Sequence, residues 1–236
     1  MERQGRTFVL IHGGFRGGWC YSPVASILRA AGHDVYAPSL TGLADRSHLA
    51  NASVNASTHI QDVINLVRWE QLTDIVLVGH SYGGFIIGGV ADRIPGSIAA
   101  LVYLDAIIPV DGMAMLDVMP PEAIPGIIKS TAGHGGYLIP PFSAADFGLS
   151  GANATLVDAL STPQPLSTLT ERIELTGAYM NIKKKLYVRA KNYPLTRHYY
   201  DRVKDDPDWS TFLLDCAHDV MLEAPEEVAR ILTEAT

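Results

Sequence analysis

The sequence predicts an α/β fold, with a mostly parallel sheet and helices packed on both faces. Three observations carry this reading. Short apolar runs alternate with helix-period patterns along most of the chain, as in successive βαβ units. Several runs are continuous in Val, Ile and Leu, as strands covered on both faces require. Finally, 47% of the residues are hydrophobic but only 18% are charged, below the ordinary level of about 25%. So low a charged fraction predicts extra covered surface, supplied by a cap over the sheet or by a second copy of the chain in a homodimer.

The elements follow in order. Thr7–His12 and Asp34–Ser39 read as the first two strands. Between them Ser22 is placed to N-cap a helix with Pro23 at its first position, a stripe of Val24, Ile27, Leu28 and Ala31, and Gly32 as terminator. Thr58-His59-Ile60-Gln61 reads as a capping box opening a helix with Ile60, Val63, Ile64 and Val67 on one face. Asp74–Gly79 is the third strand, Gly83–Arg93 a helix, and Ala99–Asp105 the fourth strand. Lys185–Ala190 and Thr211–Cys216 complete six, and Pro225–Leu232 is the closing helix. The rhythm fails between about Ile107 and Ile182, where methionines, prolines and Gly133-His134-Gly135-Gly136 replace the βα pattern. This stretch of about 70 residues is too long for a bare loop and predicts a cap inserted over the strand ends. The whole chain of 236 residues is then one domain carrying an insertion at 107–182.

Charge and cysteine content exclude several classes. The formal net charge is −7, and no Lys/Arg run exceeds Lys183-Lys184-Lys185, so the basic footprint of a nucleic-acid binder is missing. The most apolar stretch, Ile98–Val110, is interrupted by Asp105 and is too short to span a bilayer. The N-terminus runs into the first strand without a signal-peptide core. Cys20 and Cys216 make no disulfide framework and are expected to be reduced and buried. The expectation is a cytoplasmic protein, in which the sequons at Asn51, Asn55 and Asn153 are chance matches.

The chemistry is carried by Gly79-His80-Ser81-Tyr82-Gly83, a G-x-S-x-G sequence between an apolar strand and an apolar helix. That context is the nucleophile elbow, a tight turn that needs small neighbours and presents the serine at a strand end. His12-Gly13-Gly14-Phe15 ends the first strand and is suited to aim backbone N–H groups at a developing oxyanion, with a second donor from Tyr82, the residue after the nucleophile.

These segments resemble the α/β-hydrolase superfamily, in particular its branch of plant methylesterases, hydroxynitrile lyases and small bacterial esterases. The resemblance rests on Phe8–Gly14, Gly17-Gly18-Trp19 and Gly79–Gly84. Thr41–His48, Leu101–Asp105 and Cys216-Ala217-His218-Asp219 extend it over nearly the whole chain. It implies a six-stranded sheet, an inserted cap, a Ser–His–acid triad and no cofactor, with Gly14 as the residue whose N–H joins that of Tyr82 in the oxyanion hole.

Of eight histidines, His218 stands where the base belongs, after the last strand and before the final helix. His80 is expected to point away from Ser81 and His12 to support its turn, while His33, His59 and His198 are expected to be solvated. The acid is less direct. The resembling branch places an Asp after the strand equivalent to Lys185–Ala190, but here the chain continues Lys191-Asn192-Tyr193-Pro194-Leu195. Asp105, at the end of the strand after the nucleophile helix, is the first choice; Asp111 and a neutral Asn192 are the alternatives.

The expected reaction is hydrolysis of a small ester by Ser81, His218 and Asp105. Phe15 and an apolar cap containing Met113, Met115, Met119 and Phe142 suit a hydrophobic or aromatic acyl group. Carbamate, lactone or amide substrates, release or cyclisation of a carrier-bound thioester, and a non-hydrolytic ligand receptor are the competing readings. A hydroxynitrile lyase is disfavoured, because the threonine and lysine that the resemblance would require are Gly13 and Asp219 here. No C-x-x-C, H-E-x-x-H or G-x-G-x-x-G pattern is present, so neither a metal nor a dinucleotide is expected.

Overall fold

The computed structural model describes residues 5–236. Strand β1 (Thr7–Ile11) is followed by α1 (Ser22–Ala30), β2 (Asp34–Tyr36), α2 (Ala56–Trp69), β3 (Ile75–His80), α3 (Tyr82–Arg93) and β4 (Ile98–Leu104). A segment with smaller elements comes next: α4 (Ile124–Ser130), β5 (Leu138–Ile139), α5 (Gly151–Leu160), β6 (Gln164–Pro165) and α6 (Ser167–Thr170). The βα rhythm then resumes with β7 (Lys184–Ala190), α7 (Arg197–Val203), β8 (Trp209–Leu214), α8 (Val220–Glu223) and α9 (Pro225–Ala235). Six strands form one sheet in the order β2-β1-β3-β4-β7-β8, and every pairing in it is parallel.

Alternation along the strands divides the core in two. Val9, Ile11, Leu77, Leu101 and Tyr103 pack with α2 and α3 on one face; Phe8, Leu10, Val76, Val78 and Val102 pack with α1 and α9 on the other. Successive side chains of a strand point to opposite faces, so continuous apolar runs satisfy both layers.

Two helix starts differ from expectation. Ser22 is the first helical residue of α1 rather than its cap, and Tyr21 holds the N-cap position without a side-chain hydrogen bond. Helix α2 starts two residues before Thr58. Asn55 is its N-cap, accepting from Thr58 N–H, while the Thr58 hydroxyl accepts from Asn55 N–H. Thr58 thus closes a capping box from its third position, because the short Asn side chain reaches the exposed amide more readily than a β-branched Thr entering a helix. In the stretch expected to be insertion, β5 and β6 form a small antiparallel ladder, while Ile107, Met115, Ile127 and Leu169 join the core on the α3 side.

Candidate active site

The ends of β1, β3, β4 and β8 meet at one cavity of about 320 Å³. Ser81 lies between β3 and α3 with φ +52° and ψ −120°. Such a backbone conformation is rare for a non-glycine residue and typically costs about 1–3 kcal/mol. Neighbouring backbone holds it: Ser81 N–H donates to Leu104 C=O, and Ser81 C=O accepts from Gly84 N–H and Ile107 N–H. Gly83 is required at the elbow, since a Cβ there would stand 2.4 Å from the Ile11 carbonyl oxygen. The turn can therefore sit directly against β1, bringing the His12–Phe15 loop beside the serine.

His218 is 2% exposed and Asp105 fully buried. His218 Nδ1–H donates to Asp105 Oδ2 over 2.7 Å, which leaves Nε2 as the imidazole's lone-pair nitrogen. Asp105 Oδ1 in turn accepts from Ala190 N–H and from the Thr196 hydroxyl. Of the three positions read as candidate acids, only Asp105 contacts His218. Asp111 is exposed and accepts from Leu175 N–H; Asn192 donates to Asp215. Ser81 and His218 line the same cavity, but no hydrogen bond joins them among the described residues; contacts of this kind often close only with substrate. The N–H groups of Gly14 and Tyr82, on the same cavity wall, donate to no acceptor among the described residues.

Three further histidines are neutral supports. His12 Nδ1–H donates to Gly13 C=O, and Nε2 accepts from Leu40 N–H. His80 Nε2–H donates to His218 C=O. His59 is fully buried. Its Nε2–H donates to Thr41 C=O, so that Nδ1 accepts from the Tyr82 hydroxyl. Burial pushes His12 and His59 down to about 4 and His80 down to about 3, because a desolvated imidazolium is unfavourable. The expected solvation of His59 is thus corrected: the apolar face of α2 turns it into the core. His33 is also half-buried, its Nδ1 accepting from Arg6 N–H. His198 is exposed, as expected.

Several neighbours of the site are invisible to local sequence patterns. Arg16 and Asp219, 2% and 0% exposed, form a two-pronged ion pair through Arg16 Nε and Nη2. Burial raises the Asp219 carboxyl, but the Arg16 guanidinium outweighs it and holds the group below the usual carboxylate range. The pair ties the loop after β1 to the turn that carries His218. Tyr193 and Phe147 flank the His218 ring, with centroids 4.0 Å and 5.5 Å away. Phe15 packs edge-on against Phe142, and Met115, Met119, Ile127 and Leu169 continue the apolar lining. Met113 packs against the core instead of lining the cavity. A charge within the glycine-rich loop was the one signal for Arg16; its partner lies 203 residues away.

Comparison with known proteins agrees with this architecture. The profile of the alpha/beta hydrolase family matches residues 8–231. The chain belongs to the α/β hydrolase family. Within the family it is 38% identical, over 96% of this chain and 98% of the relative, to a carbendazim hydrolyzing esterase of Nocardioides sp. (strain SG-4G). It is 26% identical, over 96% of this chain and 51% of the relative, to putative methylesterase 13, chloroplastic, of Arabidopsis thaliana. Among solved structures, an extracellular α/β-hydrolase from a Paenibacillus species, described as sharing homology with tobacco salicylic acid binding protein 2, superimposes with a TM-score of 0.85. It is 25% identical, and the match covers 98% of both chains. The chain is accordingly an enzyme of the hydrolase class, in the methylesterase-like branch of the family. Among the described residues, no helix is long and apolar enough to cross a membrane.

Proposed function

We propose that the protein is a serine esterase acting on small hydrophobic or aromatic esters, with Ser81 as nucleophile, His218 as base, Asp105 as acid and the Gly14 and Tyr82 N–H groups as oxyanion donors. The observation that carries this is the convergence on one cavity of a strained elbow serine, an acid-bound imidazole with its Nε2 lone pair available, and two backbone donors without acceptors. Ser81 Oγ adds to the acyl carbon while His218 Nε2 takes its proton, and the two N–H groups bind the resulting oxyanion. Asp105 holds the imidazole in its tautomer and stabilises the imidazolium. The alcohol then leaves with the proton from His218, and water, deprotonated by the same nitrogen, releases the acid from the acyl-serine.

The segment 107–182 acts as a cap over the cavity, whose apolar wall of Phe142, Met115 and Met119 from the cap and Phe15 from the β1 loop suits an acyl group. A carbamate in place of a carboxylic ester is the second reading; it is favoured by the 38% identical relative named for hydrolysing carbendazim, itself an aromatic methyl carbamate. The two unpaired, buried cysteines fit action in the cytoplasm, and one chain supplies every wall of the cavity, so the reading requires no homodimer.

The test is turnover of p-nitrophenyl acetate, p-nitrophenyl benzoate and an aryl methyl carbamate by the purified protein. A burst of one nitrophenol per chain followed by steady hydrolysis is expected. Absence of turnover on all three would overturn the proposal.

A further inference from the structure

An oxyanion hole works only if its donors keep their direction while charge develops. Here the two donors lie on separate loops, and one loop is Gly13-Gly14, whose peptide planes are the least restrained in any chain. The Gly13 carbonyl is held from within the loop, by His12 Nδ1–H and Arg16 N–H; the contacts that hold the next residue come from the far end of the inserted segment. Phe15, itself at φ +64°, donates its N–H to Gln164 Oε1 over 2.8 Å, and its C=O accepts from Thr162 N–H over 3.0 Å. Both peptide groups flanking the strained residue are thereby fixed.

Gln164 is fully buried and its amide has one consistent orientation. Its Nε2 donates to Thr168 Oγ1 over 2.8 Å. Thr168 uses its own proton on Pro165 C=O and so must accept from Gln164. Flipping the amide would set NH2 against Phe15 N–H, donor against donor, in a buried place. Thr168 also borders the Tyr82 hydroxyl, whose proton goes to His59. The buried polar groups that hold the loop of the first oxyanion donor thus lie beside the side chain of the residue bearing the second.

We propose that Gln164 is a positioning residue for the oxyanion hole: acting through Phe15 N–H, it fixes the Gly14–Phe15 peptide next to the Gly13–Gly14 peptide that His12 anchors, and so keeps Gly14 N–H pointed at the carbonyl under attack. The inference rests on the acyl-transfer reading of Ser81. It gives the inserted segment a role in the chemical step as well as in enclosing substrate.

The test compares Gln164→Met, of similar length but without the acceptor, with the wild type. A displaced donor costs on the order of 10- to 100-fold, so kcat on p-nitrophenyl acetate should fall by about that factor, with KM within about twofold. Affinity for an aryl trifluoromethyl ketone, which adds to the serine and forms an oxyanion, should fall in step. Affinity for the corresponding methyl ketone, which only fills the cavity, should not change. Thr168→Val, which frees the Gln164 amide to turn, should show the same pattern at about 3- to 10-fold, and it decides the matter if Gln164→Met does not fold. Retention of kcat within twofold in the variants that fold, or equal weakening of both ketones, would overturn the inference. If the wild type binds the trifluoromethyl ketone tightly and Ser81→Ala does not, such a result removes this inference alone. If the wild type shows no Ser81-dependent binding, the acyl-transfer reading falls with it.

Discussion

The sheet and the inserted segment serve the same cavity by different means. The sheet fixes its contributions through backbone geometry: Ser81 and Asp105 follow the ends of β3 and β4, held by main-chain bonds to Leu104 and Val188, and His218 follows the end of β8 with its N–H on the Phe147 carbonyl. The insertion contributes through groups that reach back: the Gln164 side chain to Phe15 N–H, the Ser161 side chain to Arg16, and main-chain groups of Thr162 and Phe147 to Phe15 and His218. Reacting groups on rigid elements need no local restraint of their own, whereas a loop between them does. The difference suggests that damage to the first region removes chemistry, while damage to the second blunts it.

The largest expected effect lies in the sheet. Ser81→Ala should lower kcat by about 10⁵- to 10⁶-fold, as loss of a triad nucleophile does, without lowering Tm. Asp105→Asn should cost about 10⁴-fold, because the wrong tautomer of His218 is then stabilised. Asp111→Asn, at an exposed carboxylate that accepts from Leu175 N–H, should stay within about twofold. Near-full activity in Asp105→Asn, measured on folded protein, would break the comparison at its strongest point.

The junction between the two regions should respond in stability. Arg16→Met or Asp219→Asn leaves one member of a buried pair uncompensated, at a cost of about 3–5 kcal/mol. For a chain of this size that corresponds to a fall in Tm of roughly 10 °C. The double variant Arg16→Met/Asp219→Leu should recover much of the loss, since apolar replacements of buried pairs are often neutral. A double variant no more stable than either single would show that the pair does more than tie two loops together.

Acid should find the same layer. His12, His59 and His80 stay neutral in the fold down to about 4, 4 and 3, against 6.5 for a free imidazole. The unfolded chain therefore binds more protons below pH 6.5. Stability is full above that value and falls as pH drops towards 4, by about 1.4 kcal/mol per pH unit for each fully mismatched histidine. Urea midpoints constant from pH 7 to 4.5 would contradict the buried, neutral assignment. The smallest effect is expected in the cap lining, where Met119→Ala should change KM on aryl esters several-fold and kcat less than twofold.

The same division governed what the sequence revealed. Six- to seven-residue runs located all six sheet strands, with ends differing by a few residues, because a strand buried on both faces needs nothing but apolar side chains. Ser81 and His218 were legible because the elbow and the last strand end are local patterns. Asp105 was legible only as one of three, since its partner lies 113 residues away. Gln164, between two prolines in an irregular stretch, had no periodicity to mark it; its meaning comes from Phe15 N–H, 149 residues distant. His59 was misread because a polar residue on a helix suggests solvent until the neighbouring Tyr82 hydroxyl and Thr41 carbonyl are known.

The central claim, that Ser81 is an activated nucleophile, is tested most directly by exposing the protein to a fluorophosphonate and mapping the adduct by peptide mass. The account predicts one stoichiometric adduct on Ser81, slowed by several orders of magnitude in His218→Ala. An unlabelled wild type, or an adduct on any other residue, would contradict it.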